Sequence, residues 1–323
     1  KFTISPNVGS LSFSGNSSWG VDVLNTGGKT MTLYKVASGN SEKMKITVNS
    51  WGGSKVESSN TGIVKVSGSA EQSVDAATYQ LVTTGFGTAT LTFTNRVDPT
   101  KNITYNVTVN SFSAPTLNSS SVTLKSVPRN EGSSNLSATV TVTSPVGGYE
   151  VSSGTNSSIA SYSMSGNNCT VKAVKAGSTS ITFRNKLDAS KTAAYNVSVT
   201  GILYEGEPVW KYYGLYIAPR NAASNMQWNS SLNNSYCANK EGGTWHVPSR
   251  DEWRTILGNS DSATESVWKE YLNKRIFANE YYWSTTDAGS GKAYAMFRLM
   301  AGEMSVDVLE KNYLSGAVRC IAR

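Results

Sequence analysis

The chain has 323 residues, of which 16% are charged and 38% hydrophobic, with 28 glycines and a single histidine. That length exceeds one ordinary compact domain, and a Ser/Thr/Asn-rich, charge-poor composition fits extracellular β-structure better than a helical cytosolic enzyme. The net charge of +7 divides as +3 over residues 1–112, +4 over 113–201 and zero over 202–323, where 13 basic groups meet 13 acidic ones, so no basic cluster is available to track a nucleic-acid backbone.

No apolar run approaches the roughly 18 residues of a membrane span. No signal peptide leads the sequence, which reads as mature or truncated at Lys1.

The first two thirds alternate apolar and polar residues. Met44, Ile46 and Val48 mark one strand, Leu91 and Phe93 another, and Tyr105, Val107 and Val109 a third. Thr88–Ser111 (TATLTFTNRVDPTKNITYNVTVNS) aligns without a gap with Ser178–Gly201 (STSITFRNKLDASKTAAYNVSVTG), an offset of 90 residues. Asn95/Asn185, Asp98/Asp188, Lys101/Lys191 and Tyr105-Asn-Val/Tyr195-Asn-Val coincide, which means tandem copies of one unit. Each copy ends in strand, turn, strand: a hairpin with one apolar face. Units of this length built from short alternating strands point to immunoglobulin-like sandwiches.

Val151–Ile159, followed by Thr170–Phe183 with Gly177, resembles the bacterial immunoglobulin-like group 2 domain. Val56–Val66 and Gly85–Phe93 match it more loosely, with about six extra residues before the glycine. The resemblance implies spacer or adhesion modules over residues 1–112 and 113–201, and it brings no catalytic residues. Phe112–Thr116 and Thr200-Gly201 read as joints too short for free tumbling, predicting a semi-rigid rod.

After residue 201 the sequence changes character and holds six of the eight tryptophans. Ser231–Lys240 reads as a helix stopped by Gly242-Gly243. Ser249-Arg-Asp-Glu252 is a capping box opening a helix through Trp253, Ile256 and Leu257, and Ser262-Ala-Thr-Glu265 is a second one, ahead of Val267, Trp268, Tyr271 and Leu272. Strands are predicted at Pro208–Ile217, Tyr281–Thr285, Ala293–Leu299, Met304–Leu309 and Ala317–Ile321, giving an α+β domain over 202–323. Trp253 and Trp283 read as core residues, and His246 as a structural, hydrogen-bonded histidine with no metal or nucleophile partner nearby in sequence.

Gly243-Thr-Trp-His-Val-Pro-Ser-Arg-Asp-Glu-Trp253, Tyr282-Trp-Ser-Thr-Thr286 and Ala317-Val-Arg-Cys-Ile321 resemble the fibrobacter major paralogous domain. That family is similar in fold to C-type lectins, and the resemblance implies a disulfide between Cys237 and Cys320. Such a bridge belongs to an oxidising, extracytoplasmic setting. Cys169 shares strand parity with Val171 and Ala173 and reads as a buried, inert thiol.

The fold expected is thus two all-β immunoglobulin-like sandwiches followed by an α+β C-type-lectin-like head. The family likeness places a binding face on the loops around the final strands, with Asp287, Lys292, Glu303, Asp307, Glu310, Lys311, Asn312 and Tyr313. Sugar-binding C-type lectins use Glu-Pro-Asn or Gln-Pro-Asp with Trp-Asn-Asp to hold calcium; only Glu207-Pro208 approaches this, so neither calcium nor any other metal or cofactor is expected. The formylglycine-generating oxidases share that fold but need paired active-site cysteines, which this chain commits elsewhere, so no enzyme activity is expected.

The function that follows is a cell-surface or outer-membrane-anchored adhesion protein. Its spacers would present a head to a host or microbial glycan or protein, with any lipid anchor lying upstream. The alternative is a structural fimbrial or surface-layer subunit.

Overall fold

The computed structural model describes residues 8–13, 21–25, 29–35, 45–278, 280–298, 303–313 and 315–323; of the first two segments and of Arg298 only the backbone is described. The chain divides into two compact units. The first comprises Lys1–Asn118, Thr141–Ser153 and Ile181–Ala194; the second comprises Ser119–Val140, Gly154–Ser180 and Tyr195–Arg323.

The body of the first unit is a sandwich of two sheets. One has the strand order Val8–Phe13, Lys45–Ser50, Ala76–Thr83, Val64–Ser67. The other runs Val21–Asn25, Thr30–Tyr34, Asn102–Asn110, Gly87–Asn95, Ser54–Ser58, Glu71–Gln72. Period-2 alternation sends Ile46, Val48, Tyr79 and Leu81 from one sheet, and Leu91, Phe93, Tyr105 and Val107 from the other, into a single buried cluster. The opposite faces carry threonines in cross-strand pairs, such as Thr92 and Thr104 with hydroxyls 3.0 Å apart. Thr30–Tyr34 runs parallel to Asn102–Asn110. The same pairing returns in the second copy of the repeat, where Ser121–Lys125 runs parallel to Thr192–Thr200.

The repeated asparagine has a structural cause. Asn95 and Asn185 are fully buried. Asn95 Oδ1 accepts the N–H groups of Val97 and Asp98 at 2.8 Å each, and its Nδ2 donates to Ser50 Oγ at 2.9 Å and to the Trp51 carbonyl at 2.8 Å. Asn185 Oδ1 likewise accepts Leu187 N at 2.8 Å, and its Nδ2 donates to the carbonyls of Val146 at 2.9 Å and Ser113 at 3.0 Å. One amide closes the hairpin turn and staples it to a neighbouring loop in both copies. Asp98 and Asp188 finish the turn by accepting from Thr100 and Ser190.

In the second unit, residues 202–323 form an α+β body. A three-stranded sheet joins Trp210–Tyr212, Leu215–Ile217 and Ile321–Ala322. A five-stranded sheet has the order Ala223–Met226, Gly316–Val318, Tyr281–Gly289, Lys292–Arg298, Met304–Glu310. Helix α1 (Arg250–Ile256) begins with the capping box of Ser249 and Glu252 that the sequence predicts. Helix α2 (Glu265–Asn273) turns Tyr271 inward. The predicted strand end Leu299 lies outside the described residues.

Four predicted elements form differently. The single strand expected over Pro208–Ile217 is a hairpin, in which Trp210–Tyr212 pairs antiparallel with Leu215–Ile217, and the strand expected over Ala317–Ile321 divides between Gly316–Val318 of the larger sheet and Ile321–Ala322 of the smaller. The expected helix over 231–240 is a single wide turn, Asn233–Cys237, closed by Ala238 N–H bonding the Asn233 carbonyl. Asn233 and Asn234 are poor helix formers, and Asn233 spends its side chain on Val247 N at 3.0 Å. The expected capping box at Ser262 does not form: α2 starts after Thr264 with no side-chain cap. Ser262 instead bridges Ser305, and its neighbours pair with the edge strand through Val306 N to the Asp261 carbonyl and Ala263 N to the Met304 carbonyl.

Two clusters fill this body. Trp253, Tyr271, Phe277, Tyr282 and Met296 pack in one; Tyr204, Trp245, Trp283, Cys237 and Cys320 pack in the other. Cys237 and Cys320 are joined by a disulfide, with Cα atoms 5.6 Å apart. Trp253 and Trp283 are fully buried, and Trp283 Nε1 donates to the Met226 carbonyl at 2.8 Å. Only glycine fits at 316, because a Cβ there would lie 1.9 Å from Trp283 Nε1.

A loop at 126–131 is bonded to the start of this body. Ser126 Oγ donates to the Ile202 carbonyl at 2.8 Å, Arg129 N to that of Val209 at 2.7 Å and Arg129 Nε to that of Pro208 at 2.7 Å. Asn130 makes a two-way bond with the Lys211 backbone, donating at 2.7 Å and accepting at 3.0 Å. Backbone-to-side-chain ties of this density leave the joint at 200–201 little freedom.

Candidate ligand-binding face

The long hairpin Tyr281–Gly289/Lys292–Arg298, the edge strand Met304–Glu310 and the segment after it gather part of the predicted face. At the hairpin end, Lys292 sits opposite Glu310 in register, with Nζ 3.6 Å from its carboxylate. Lys311 Nζ lies 2.8 Å from Asp287 Oδ2 and 4.5 Å from the centre of the Trp228 ring. The indole is fixed in turn, its Nε1 donating to the Ser284 carbonyl at 2.8 Å.

Hydrogen bonds from Lys311 and from Gly289 N–H hold the Asp287 carboxyl below its ordinary value. Tyr313 packs edge-on against Tyr281 with centroids 4.9 Å apart, and Tyr281 leans on Phe297 at 5.6 Å. The Asn312 side chain is exposed, while its carbonyl accepts from Gln227 Nε2 at 3.0 Å.

The structure therefore brings Asp287 to Lys311 and Lys292 to Glu310, with Asn312 next in the chain after Lys311; the Tyr313 ring packs instead on Tyr281, where that strand faces Phe297. The structure does not bring in Glu303, which precedes the far end of the edge strand where Met304 faces Arg298. Asp307 lies midway along that strand and turns its carboxylate back to Val308 N at 2.7 Å. A carboxylate on an outer edge N–H blunts that edge against another strand.

Trp228, Tyr281 and Phe297 were not among the sequence-predicted residues. Their spacing in the chain, 228 to 281 and 297, carries no local pattern: strand pairing sets Tyr281 opposite Phe297, and the bond to the Ser284 carbonyl places the Trp228 indole.

A second polar cluster surrounds the single histidine. His246 Nε2 and Glu252 Oε1 are 2.9 Å apart, and Arg323 Nη2 reaches the same oxygen at 3.0 Å. Burial alone would raise Glu252, but hydrogen bonds from His246 and Ser249 outweigh it and hold the carboxyl at about 2. The Glu252 bond in turn raises His246, against the opposing effect of burial. In sequence Glu252 reads only as a helix cap, and it is the path of the chain from His246 into the helix that brings the two side chains together.

Cys169 is buried, and burial raises its thiol, which disfavours the thiolate form. Among the described residues, no group of three or more His, Cys, Asp or Glu side chains is placed to hold a metal ion. Also among the described residues, no helix is long and apolar enough to cross a membrane.

No family model matches the chain, and no curated protein matches it. Among solved structures it is similar to domains 4 and 5 of the S-layer protein SbsC, at 17% identity over 60% of this chain and 100% of that one, with a TM-score of 0.29. It is similar to the adhesin InvE of Yersinia pseudotuberculosis at 13% identity, covering 90% of this chain and 94% of that one, with a TM-score of 0.25. A C-terminal 282-residue fragment of intimin, solved with the intimin-binding domain of the translocated intimin receptor, is 17% identical over 89% of this chain and 96% of that one, with a TM-score of 0.26. At such scores the likeness carries nothing about function.

Proposed function

We propose that the chain is an extracellular adhesion protein in which residues 1–112 and 113–201 are immunoglobulin-like spacers and residues 202–323 a lectin-like recognition head. Its ligand is a surface glycan or protein taken up at the hairpin end of the five-stranded sheet. The observation that carries this reading is the Asp287–Lys311–Trp228 arrangement: a carboxylate, an ammonium and an indole held on one another at the rim of a folded body. Mutually neutralised charges beside an aromatic ring suit recognition of polar surfaces, through hydrogen bonds at the charges and packing on the ring. The disulfide supports an extracytoplasmic location. The shielded edge at Asp307 gives no support to assembly through that strand.

The test is binding of the full chain to glycan and extracellular-matrix protein arrays, repeated with Lys311→Ala and Trp228→Ala. The expected result is binding to a restricted set, weakened at least about tenfold by either substitution, a loss of roughly 1.4 kcal/mol. Array binding that survives both substitutions in folded protein places recognition elsewhere, and no binding at all removes the adhesin reading.

A further inference from the structure

The repeat gives the first unit two equivalent poles, and they differ in what covers them. In each copy the buried asparagine bonds the carbonyl of the residue before a Gly-Gly pair: Asn95 that of Trp51, Asn185 that of Val146. In each copy the residue two places after that asparagine lies over the first glycine. A Cβ on Gly52 would meet Val97 Cγ2 at 2.3 Å, and one on Gly147 would meet Leu187 Cδ1 at 3.0 Å. Both glycines need left-handed backbone, with φ of 75° and 92°. The backbone bond behind the pair is shared too: Arg96 N to the Gly53 carbonyl, Lys186 N to that of Gly148. Trp51 and Val97 are thus the structural counterparts of Val146 and Leu187.

Val146 and Leu187 are half-buried, packed against the core cluster of the first sandwich, as is Tyr34, which stacks on the cluster member Phe112. Ser113, next in the chain after Phe112, is bonded by Asn185. The counterparts stand in solvent: Trp51 is 44% exposed and Val97 53%. Val74, 54% exposed, belongs to a loop bonded to the same turn, since Asp75 Oδ1 accepts Gly52 N at 2.7 Å. Large apolar side chains exposed together on one pole mark an interaction surface.

We infer that the Trp51–Val74–Val97 pole is a docking face for another sandwich of the same repeat, joined directly ahead of the first as the first is joined ahead of the second copy. The incoming surface is the pole that carries the Tyr34–Phe112 stack. A second whole copy of this chain does not offer that surface, because its own is already covered by Val146 and Leu187. The aromatic stack on one side and the indole and valines on the other supply an apolar joint of the kind already present within the chain.

The test extends the full chain with an additional copy of residues 1–115 ahead of residue 1, that copy carrying Trp51→Phe so that Trp51 reports only the original sandwich. Oxidative footprinting is read at the Trp51 peptide in the extended and unextended chains. Modification of Trp51 is expected to fall at least about threefold on extension, and Val97→Asp in the original sandwich is expected to restore it while leaving the unextended chain's melting temperature unchanged. Unchanged modification in an extended chain whose added copy resists proteolysis overturns the inference.

Leu187→Asp in the unextended chain covers the case of an added copy that does not fold. It is expected to lower the melting temperature by several degrees and to raise cleavage near Ser113. If Leu187→Asp has no more effect than Val97→Asp, the two poles are not used alike and the inference fails.

Discussion

Glu252 accepts a hydrogen bond from His246 Nε2 on one carboxylate oxygen and from Ser249 N on the other, at 2.9 and 3.0 Å. Arg323 shares the first oxygen at 3.0 Å. One buried carboxylate thus ties the start of α1, the segment that leads into it and the strand end at Arg323. His246 also pairs through its backbone with Ile321, so the contact links two elements that are 75 residues apart in sequence.

That contact sets a pH profile. His246 is raised above its ordinary 6.5, so its contribution to stability is complete below 6.5 and is lost as pH climbs through the folded value. Glu252 is lowered from 4.5 to about 2, so its contribution is present above 4.5 and disappears as pH falls through about 2. Urea unfolding followed by tryptophan fluorescence is expected to give the greatest stability of this body between those limits. His246→Gln should flatten the fall above neutral pH and cost about 1–2 kcal/mol at mildly acid pH. A wild-type profile that is level from mildly acid to alkaline pH contradicts the assignment.

Asn95→Ala and Asn185→Ala each strip a buried turn of its amide and leave buried N–H and C=O groups unpaired. Each is expected to destabilise by about 2–3 kcal/mol. Similar losses at the two positions, measured by chemical denaturation, follow from their matched bonding; a cost below about 0.5 kcal/mol at either rules out the stapling role there.

Replacing Cys237 and Cys320 together by serine opens a loop with a sequence separation of 83 residues. On a chain-entropy model the loss is about 4.5 kcal/mol. The measurement is the denaturation midpoint of residues 202–323 within the full chain, with and without reductant. Wild type under reductant should match the double variant, and non-reducing mass spectrometry should show one bridge and one free thiol at Cys169.

Gly316→Ala forces a methyl group into the Trp283 indole. The ring is fully buried and bonded to the Met226 carbonyl, so it has nowhere to withdraw. Overpacking of about 1–3 kcal/mol is expected, read as a lower midpoint and a changed near-ultraviolet tryptophan signal.

The strands of the first two thirds, the repeat and the capping box at Ser249 were legible because each rests on residues adjacent or regularly spaced in the chain. Alternation such as Leu91, Phe93 and Tyr105, Val107 records which face is buried whatever the partner sheet. The identity of Asn95 with Asn185 was visible, yet its reason was not, because the carbonyls it serves belong to a loop some 44 residues away in one copy and 39 in the other. The turn at Asn233–Cys237 and the uncapped start of α2 departed from local pattern where tertiary bonds claimed Asn233 and Ser262.

By itself the sequence determined period, turn chemistry and the helix cap, since these depend on the backbone and on near neighbours. Only the tertiary structure decided that Trp228 meets Lys311, that Glu252 serves His246, that Glu303 stands apart from Lys292, and that Val97 is bare where Leu187 is covered. Contacts of that kind are set by which strands pair and which surfaces meet, and free energy of burial is assigned to surfaces rather than to positions along a chain.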